Sequence, residues 1–211
     1  MAGLRQEYMR EELEENHVSA DPFEQFQQWF DGALADEEVC EPNAMTLATA
    51  TADGKPSARI VLLKGFDRRG FAFYTNYNSR KGQELADNPY AALVLWWQPQ
   101  ARQIRIEGRV EKLNSTESDA YFQSRPLGSQ LGALASPQSQ TVENRDYLEQ
   151  RLQNLTEQYR SQPIPRPAHW GGYRLNPSTI EFWQGRPNRL HDRLCYRRLS
   201  EDRWHMERLA P

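Results

Sequence analysis

The chain has 211 residues, enough for one sizeable domain with a real core or for two small ones. A formal net charge of −3 argues against a nonspecific grip on nucleic acid through bulk charge. No apolar run approaches the roughly 18 residues of a membrane span, and no signal-type apolar stretch opens the sequence. The two cysteines, Cys40 and Cys195, have neither CxxC nor metal-ligand spacing, so a reduced, cytoplasmic protein is expected. The four histidines are scattered without zinc-type grouping, and no metal site is expected.

Residues 1–20 are charged and only weakly periodic, which reads as a mobile arm ahead of a single domain over 21–211. "DPFEQFQQWFDGAL" predicts an amphipathic helix. Asp21 is its N-cap, Pro22 its first residue, and Phe23, Phe26, Trp29, Phe30 and Leu34 form one apolar face. Strands follow in "AMTLATAT", "PSARIVLLK", "GFAFYT" and "YAALVLWW", with "GFDRRG" as a link. Between the last two of these strands, residues 80–87 read as a short helix stopped by Asn88-Pro89. "RQIRIEGRVEKL" is a long strand in which Gly108 marks a bulge or bend. "STESDAYFQSR" and "ENRDYLEQRLQNLTEQYR" read as helices, and "GGYRLNPSTIEFWQG", "LCYRRLS" and "RWHMERLA" as strands.

Seven or eight strands with hairpin-length links and short intervening helices define a mainly β, α+β class. The expected form is an antiparallel, Greek-key-like barrel with peripheral helices. The elements do not alternate regularly and GxGxxG is absent, which disfavours a doubly wound dinucleotide fold.

Five places carry more polar chemistry than a barrel needs. Ser79, Arg80 and Lys81 stand at a helix N-terminus, where free N–H groups already favour an anion, so two added cations point to a bound phosphate. A solvated turn with a Ser cap explains the same residues equally well. Arg59 and Lys64 bracket a Val/Leu-rich strand on opposite faces, as snorkelling cations also would. Gln103, Arg105 and Glu107 share one strand face, where a cross-strand salt-bridge ladder is the plain alternative. Tyr121 and Arg125 are four apart on a helix with Ser129 just beyond, a possible second phosphate grip. In "FWQGRPNRLHDR", Trp183 ends a strand, and Arg189, His191 and Arg193 alternate so that strand geometry would crowd them on one face.

"RIVLLK", "FYTNYNSRK", "RQIRIEG", "YFQSRP", "SQLGALAS", "WGGYR", "EFWQG", "RLHDR" and "ERLAP" together resemble the pyridoxine/pyridoxamine 5′-phosphate oxidase family in order and spacing, over nearly the whole chain. The resemblance implies an FMN-binding split barrel, a homodimer with FMN at the subunit interface. The implied activity oxidises pyridoxine 5′-phosphate and pyridoxamine 5′-phosphate to pyridoxal 5′-phosphate, with O2 reduced to hydrogen peroxide and ammonia released from the amine. It assigns Arg59, Ile60, Val61, Leu62, Leu63, Lys64, Tyr74, Thr75, Arg80 and Lys81 to FMN, with Gln103, Gln138, Ser139, Trp183 and Arg193 completing that site, some from the other subunit. Lys64, Tyr121, Arg125 and Ser129 would hold the substrate phosphate, and Arg189, Leu190 and His191 would lie against the substrate ring, Arg189 and His191 as the catalytic pair. Arg5 and Tyr8 match a segment that closes over the site. The chain departs from the family pattern at Leu134, where Trp is expected, and at Pro137. A flavin reductase on the same barrel would not need the second phosphate group, and a non-catalytic binder would not need Arg189 beside His191.

Overall fold

In β1 (Ala44–Ala50), Met45, Leu47 and Thr49 are buried and the residues between them are half-exposed, the period-two signature of a strand with one face on the core. The same alternation runs through β2 (Pro56–Leu62), β5 (Tyr90–Trp97) and β6 (Arg102–Lys112). The computed structural model describes residues 12–211, and Arg5 and Tyr8 lie outside them. Also present are β3 (Gly65–Asp67), β4 (Gly70–Asn76), β7 (Trp170–Gln184), β8 (Asp192–Ser200) and β9 (Arg203–Arg208). These nine strands form one antiparallel sheet in the order β2-β1-β5-β6-β7-β4-β3, with β8 on β7 and β9 on β8. Strand β2 comes close to β4 without a hydrogen-bonded ladder, so the barrel is split there.

Strand β7 has fifteen residues and serves three neighbours. Its first half pairs with β4 from Trp170 to Leu175, its second half with β8 from Thr179 to Gln184, and its other edge with β6 from Tyr173 to Gln184. The change of partner falls at Pro177, opposite a register shift between Glu107 and Gly108. Gly108 is required there, because a Cβ on it would stand 2.0 Å from the Asn176 carbonyl oxygen. The bulge expected at Gly108 is therefore present.

Helix α1 (Pro22–Ala35) is capped by the Asp21 carboxylate, which accepts from the Phe23 N–H at 2.9 Å. Phe26 is fully buried and meets Phe66 and Phe71 edge-on, at 4.6 and 4.9 Å between ring centroids. Leu34, expected on the same face, is instead exposed, and its neighbour Ala33 takes the core position in the last turn. A second apolar cluster of Phe122, Leu131, Ile164 and Trp170 lies under α3 (Ser115–Ser124), α4 (Leu127–Ala135) and α5 (Arg145–Gln158). Leu134 packs at its edge.

Several expectations are corrected. Strand β3 falls inside "GFDRRG", read as a link, and α4 falls where a turn and loop were expected. Gln130 secures α4 by donating to the Gln123 and Arg125 carbonyls, a tertiary tie that outweighs the weak helix propensity of Gly128 and Gly132. Arg189 and His191 are not in a strand with Arg193. Pro187–Arg189 form a 3-10 turn, Asn188 and Arg189 have φ of 56° and 61°, and β8 starts only at Asp192. Described residues 12–19 pack on the strands at the far end of the chain. Leu13 is buried in the main core, its N–H donates to Asp192, and Arg208 donates to the Leu13 carbonyl and to Glu15. Tyr196 donates to the Ser19 carbonyl at 2.7 Å. No helix among the described residues is long and apolar enough to cross a membrane.

Gly108→Ala is expected to cost about 1–3 kcal/mol, because backbone rather than a flexible side chain meets the added carbon. Chemical denaturation of the variant beside the wild type measures this.

Candidate active site

A cavity of about 590 Å³ opens where β2 and β4 part. Ile60, Val61, Leu62 and Lys64 line one side of it, and Tyr74, Thr75, Asn76 and Lys81 another. Tyr121, Arg125, Ser129, Gln138 and Trp170 close it from the helical layer. Strand β4 delivers Tyr74 and Thr75, and α2 (Arg80–Asp87) delivers Lys81 from its first turn. Arg125 is the C-cap of α3, and Ser129 lies in the first turn of α4.

The cations in this cavity lack the partners that buried charges ordinarily require. Lys81 is 9% exposed, and its ammonium donates only to neutral groups, the Thr75 hydroxyl at 3.2 Å and the Gln138 side-chain oxygen at 3.4 Å. Burial, then the charge of Arg59, pushes its pKa below the ordinary lysine value, while Glu84 pulls it back. Arg125 lies over the Trp170 ring at 4.6 Å, and its Nη1 is buried without a hydrogen-bond acceptor. Burial lowers its pKa as well. Neither cation has a carboxylate partner among the described residues. Tyr74 stacks on Tyr121 at 3.8 Å and on Trp170 at 5.6 Å, so a flat aromatic wall adjoins the unpartnered guanidinium. Desolvated cations with no anionic partner among the described residues, next to aromatic faces, fit a planar ligand that carries phosphate.

Arg59 and Arg80 do not line the cavity. Both turn to the carboxylate of Glu84, which is 4% exposed. Glu84 accepts from Arg80 Nε at 2.9 Å, Arg59 Nη2 at 3.3 Å, Thr49 Oγ1 at 2.5 Å and Ser57 Oγ at 2.6 Å. Burial alone would raise its carboxyl, but the hydrogen bonds from Ser57, Thr49, Arg80 and Arg59 outweigh it and hold the pKa at about 2. Ser79 acts as an N-cap: its hydroxyl accepts from the Gly82 N–H and donates to the Asn76 carbonyl, so it is committed within the fold.

Of the remaining predicted residues, Gln103, Trp183 and Arg193 lie on the outer face of the sheet and the others lie in turns and loops. Trp96, Gln103, Trp183 and Arg193 are register partners across β5, β6, β7 and β8. Trp183 meets Trp96 at 5.9 Å and the His191 ring at 4.6 Å. Arg193 forms a two-pronged ion pair with Glu181 at 2.9 and 3.0 Å, and Arg105 reaches the same carboxylate at 3.0 Å. The expected ladder through Arg105 is therefore present. Arg189 and Leu190 are exposed, and His191 Nδ1 accepts from the Arg186 N–H at 3.1 Å. Burial, then the charge of Arg189, lowers the His191 pKa from its ordinary value, while Asp192 pulls it back. Ser139 is exposed in a left-handed conformation beside Gln138. Within one chain, Gln103, Trp183, Arg189, His191 and Arg193 do not line the cavity that holds Lys81 and Arg125.

Sequence reading did not single out Trp170 or Glu84. The Trp before the Gly-Gly pair was a signal, since Gly171 and Gly172 leave no room beside Tyr77, Tyr74 and Leu113 for side chains. Glu84 had none, because a glutamate four residues after an arginine reads as an ordinary solvated helix pair.

The fold and the unpartnered cations define a split-barrel protein of the FMN-binding class. A pyridoxamine 5′-phosphate oxidase-related, FMN-binding protein of Nostoc punctiforme shares the fold, with a TM-score of 0.70 over 88% of this chain and 97% of its own at 19% identity. Residues 33–159 match the family model described as pyridoxamine 5′-phosphate oxidase, and residues 170–211 match the C-terminal dimerisation region of pyridoxine 5′-phosphate oxidase. The chain belongs to the pyridoxamine 5′-phosphate oxidase family. Pyridoxine/pyridoxamine 5′-phosphate oxidases of Acaryochloris marina and Salinibacter ruber are each 61% identical to it, covering 100% of this chain and 95% and 99% of theirs. The structure of PhzG from Burkholderia lata, in complex with tetrahydrophenazine-1-carboxylic acid, superposes with a TM-score of 0.88 at 33% identity, over 96% of this chain and 99% of that one.

Glu84 ties acid stability to the site. Its carboxyl titrates near the ordinary 4.5 when unfolded and at about 2 when folded, so its contribution is whole above 4.5 and lost as pH falls toward 2. The stability gap between wild type and Glu84→Gln should therefore shrink over that interval in denaturant titrations at stepped pH.

Proposed function

We propose that the chain oxidises pyridoxine 5′-phosphate and pyridoxamine 5′-phosphate to pyridoxal 5′-phosphate, with FMN as cofactor and oxygen as final acceptor, reduced to hydrogen peroxide. The amine substrate gives up its nitrogen as ammonia. Family membership and the named relatives support this reading. The single observation that carries it to this chain is one cavity with two cations that no carboxylate among the described residues neutralises, the buried Lys81 and the half-buried Arg125.

Lys81, Thr75, Arg59 and Arg80 would hold the FMN phosphate end, with Tyr74 and the Ile60–Leu63 segment beside the ribityl chain and ring. Lys64, Tyr121, Arg125 and Ser129 would hold the substrate phosphate. Gln103, Trp183 and Arg193 would reach the flavin from the second subunit of a homodimer, which accounts for their separation from the cavity in a single chain. Gln138 and Ser139 belong to the flavin set too, and Gln138 already touches Lys81. Bound FMN supplies the two-electron oxidation chemistry. The protein's own residues bind, orient and exclude water. Arg125, fixed on Trp170, sets the substrate by its phosphate, and the aromatic wall restricts solvent beside it. Arg189, Leu190 and His191 would bear on the pyridine ring, and His191, its Nδ1 lone pair engaged by the Arg186 N–H, positions substrate rather than removes a proton.

Arg125→Ala removes a charge-assisted bond worth about 1.5–3 kcal/mol, so KM for either substrate should rise about ten- to a hundredfold with FMN content unchanged. Lys81→Ala should do the reverse, losing FMN on dilution before substrate affinity changes. Steady-state kinetics with flavin content measured after gel filtration distinguishes the two, and equal loss of FMN in both variants would defeat this division of the cavity.

His191→Asn keeps a hydrogen-bonding side chain that does not titrate near neutrality. Its pH profile of kcat should keep the wild-type shape at lower amplitude. A profile flattened in the neutral range would make His191 a general base instead.

A further inference from the structure

We propose that Glu84 is a positioning residue that sets both the geometry and the charge of the cofactor-phosphate clamp. The proposal rests on the reading above, in which Arg59, Arg80 and Lys81 face the phosphate of FMN. Among the described residues, Glu84 is the one group that holds both guanidiniums. Its Oε1 takes Arg80 Nε, and its Oε2 takes Arg59 Nη2 together with the hydroxyls of Thr49 and Ser57. Those hydroxyls also accept from Arg59 Nη1 and Nη2, so β1, β2 and α2 are joined through one carboxylate.

Stability alone does not explain an ionised carboxylate that is 4% exposed. Packed apolar side chains commonly replace a buried ion pair without loss of stability. What an apolar residue at this position could not do is orient two cations toward a third. Arg59 and Lys81 are near enough that the charge of one lowers the pKa of the other, and Glu84 acts on Lys81 in the opposite direction. Three cations less one carboxylate leave a charge of +2, which matches the charge of about −1.5 to −2 on a phosphate monoester at pH 7. Without Glu84, mutual repulsion would drive the exposed Arg80 into solvent and release Arg59 from its rotamer. The clamp would then lose its selectivity for a phosphorylated flavin more than its grip on the flavin ring.

Selectivity is the readout that a merely structural role would not move. Full-length protein stripped of flavin is titrated with FMN and with riboflavin, which lacks the phosphate, by quenching of flavin fluorescence. Glu84→Gln should lower the ratio of riboflavin Kd to FMN Kd about tenfold or more, with riboflavin affinity changed by less than about twofold. Glu84→Asp keeps the charge but withdraws the oxygens by one carbon, and it should lower the ratio in the same direction; it also serves if the Gln variant does not fold. An unchanged ratio, or an equal loss for both flavins, overturns the proposal. A wild-type protein with no preference for FMN over riboflavin overturns the functional reading itself, whereas a preference that survives in both variants overturns only the role of Glu84.

Discussion

Strand β7 is the constraint on which the rest of the architecture depends. One chain segment hydrogen-bonds to β6 along one edge and, on the other, passes from β4 to β8 at Pro177. Proline has no N–H to donate, so a ladder can be dropped there without leaving a donor unpaired. Glycine at 108 lets β6 follow the same bend, since its missing side chain is where the Asn176 carbonyl lies. The bend decides what the sheet displays. Upstream of it β4 turns Tyr74 and Thr75 into the cavity; downstream β8 sets Arg193 beside Glu181 on the outer face.

Electrostatics then divides the cations by whether the fold neutralises them. Arg59, Arg80, Arg105 and Arg193 are matched to Glu84 or Glu181, each nearly buried and each taking more than one guanidinium. Lys81 and Arg125 have no carboxylate match among the described residues, and burial lowers the pKa of both. An unmatched buried cation is destabilising when the cavity is empty and favours whatever anion enters it. The arrangement exchanges some stability of the free protein for affinity, as ligand sites generally do.

The strands and α1 were legible because each buries alternate or every third-to-fourth residue, and that periodicity is written directly in the side chains. Strand β3 was too short to show a period, and α4 was hidden by Gly128 and Gly132, its stability coming from Gln130 and Leu131 instead. The alternation of Arg189, His191 and Arg193 misled for a local reason: positive φ at Asn188 and Arg189 takes the chain out of the strand just before β8. Of the site, Lys64, Tyr74, Thr75, Lys81, Tyr121, Arg125, Ser129 and Gln138 were named from sequence and share one cavity. Trp170 was signalled only by the Gly-Gly pair that follows it, and Glu84 could not be named in advance, since a helix Glu reads as surface until tertiary contacts exist.

The tie between the first described residues and the last strands has a dynamic consequence. Arg208 in β9 grips Glu15 and the Leu13 carbonyl, and Asp192 and Tyr196 in β8 hold the Leu13 N–H and the Ser19 carbonyl. Residues 12–19 and the β8–β9 hairpin thus open and close as one cooperative unit, although almost the entire sequence separates them. The hairpin lies within the segment that matches a dimerisation region. A subunit that docks on it raises the cost of opening that unit, so by linkage the segment at residues 12–19 is quieted by an association made by the other end of the chain.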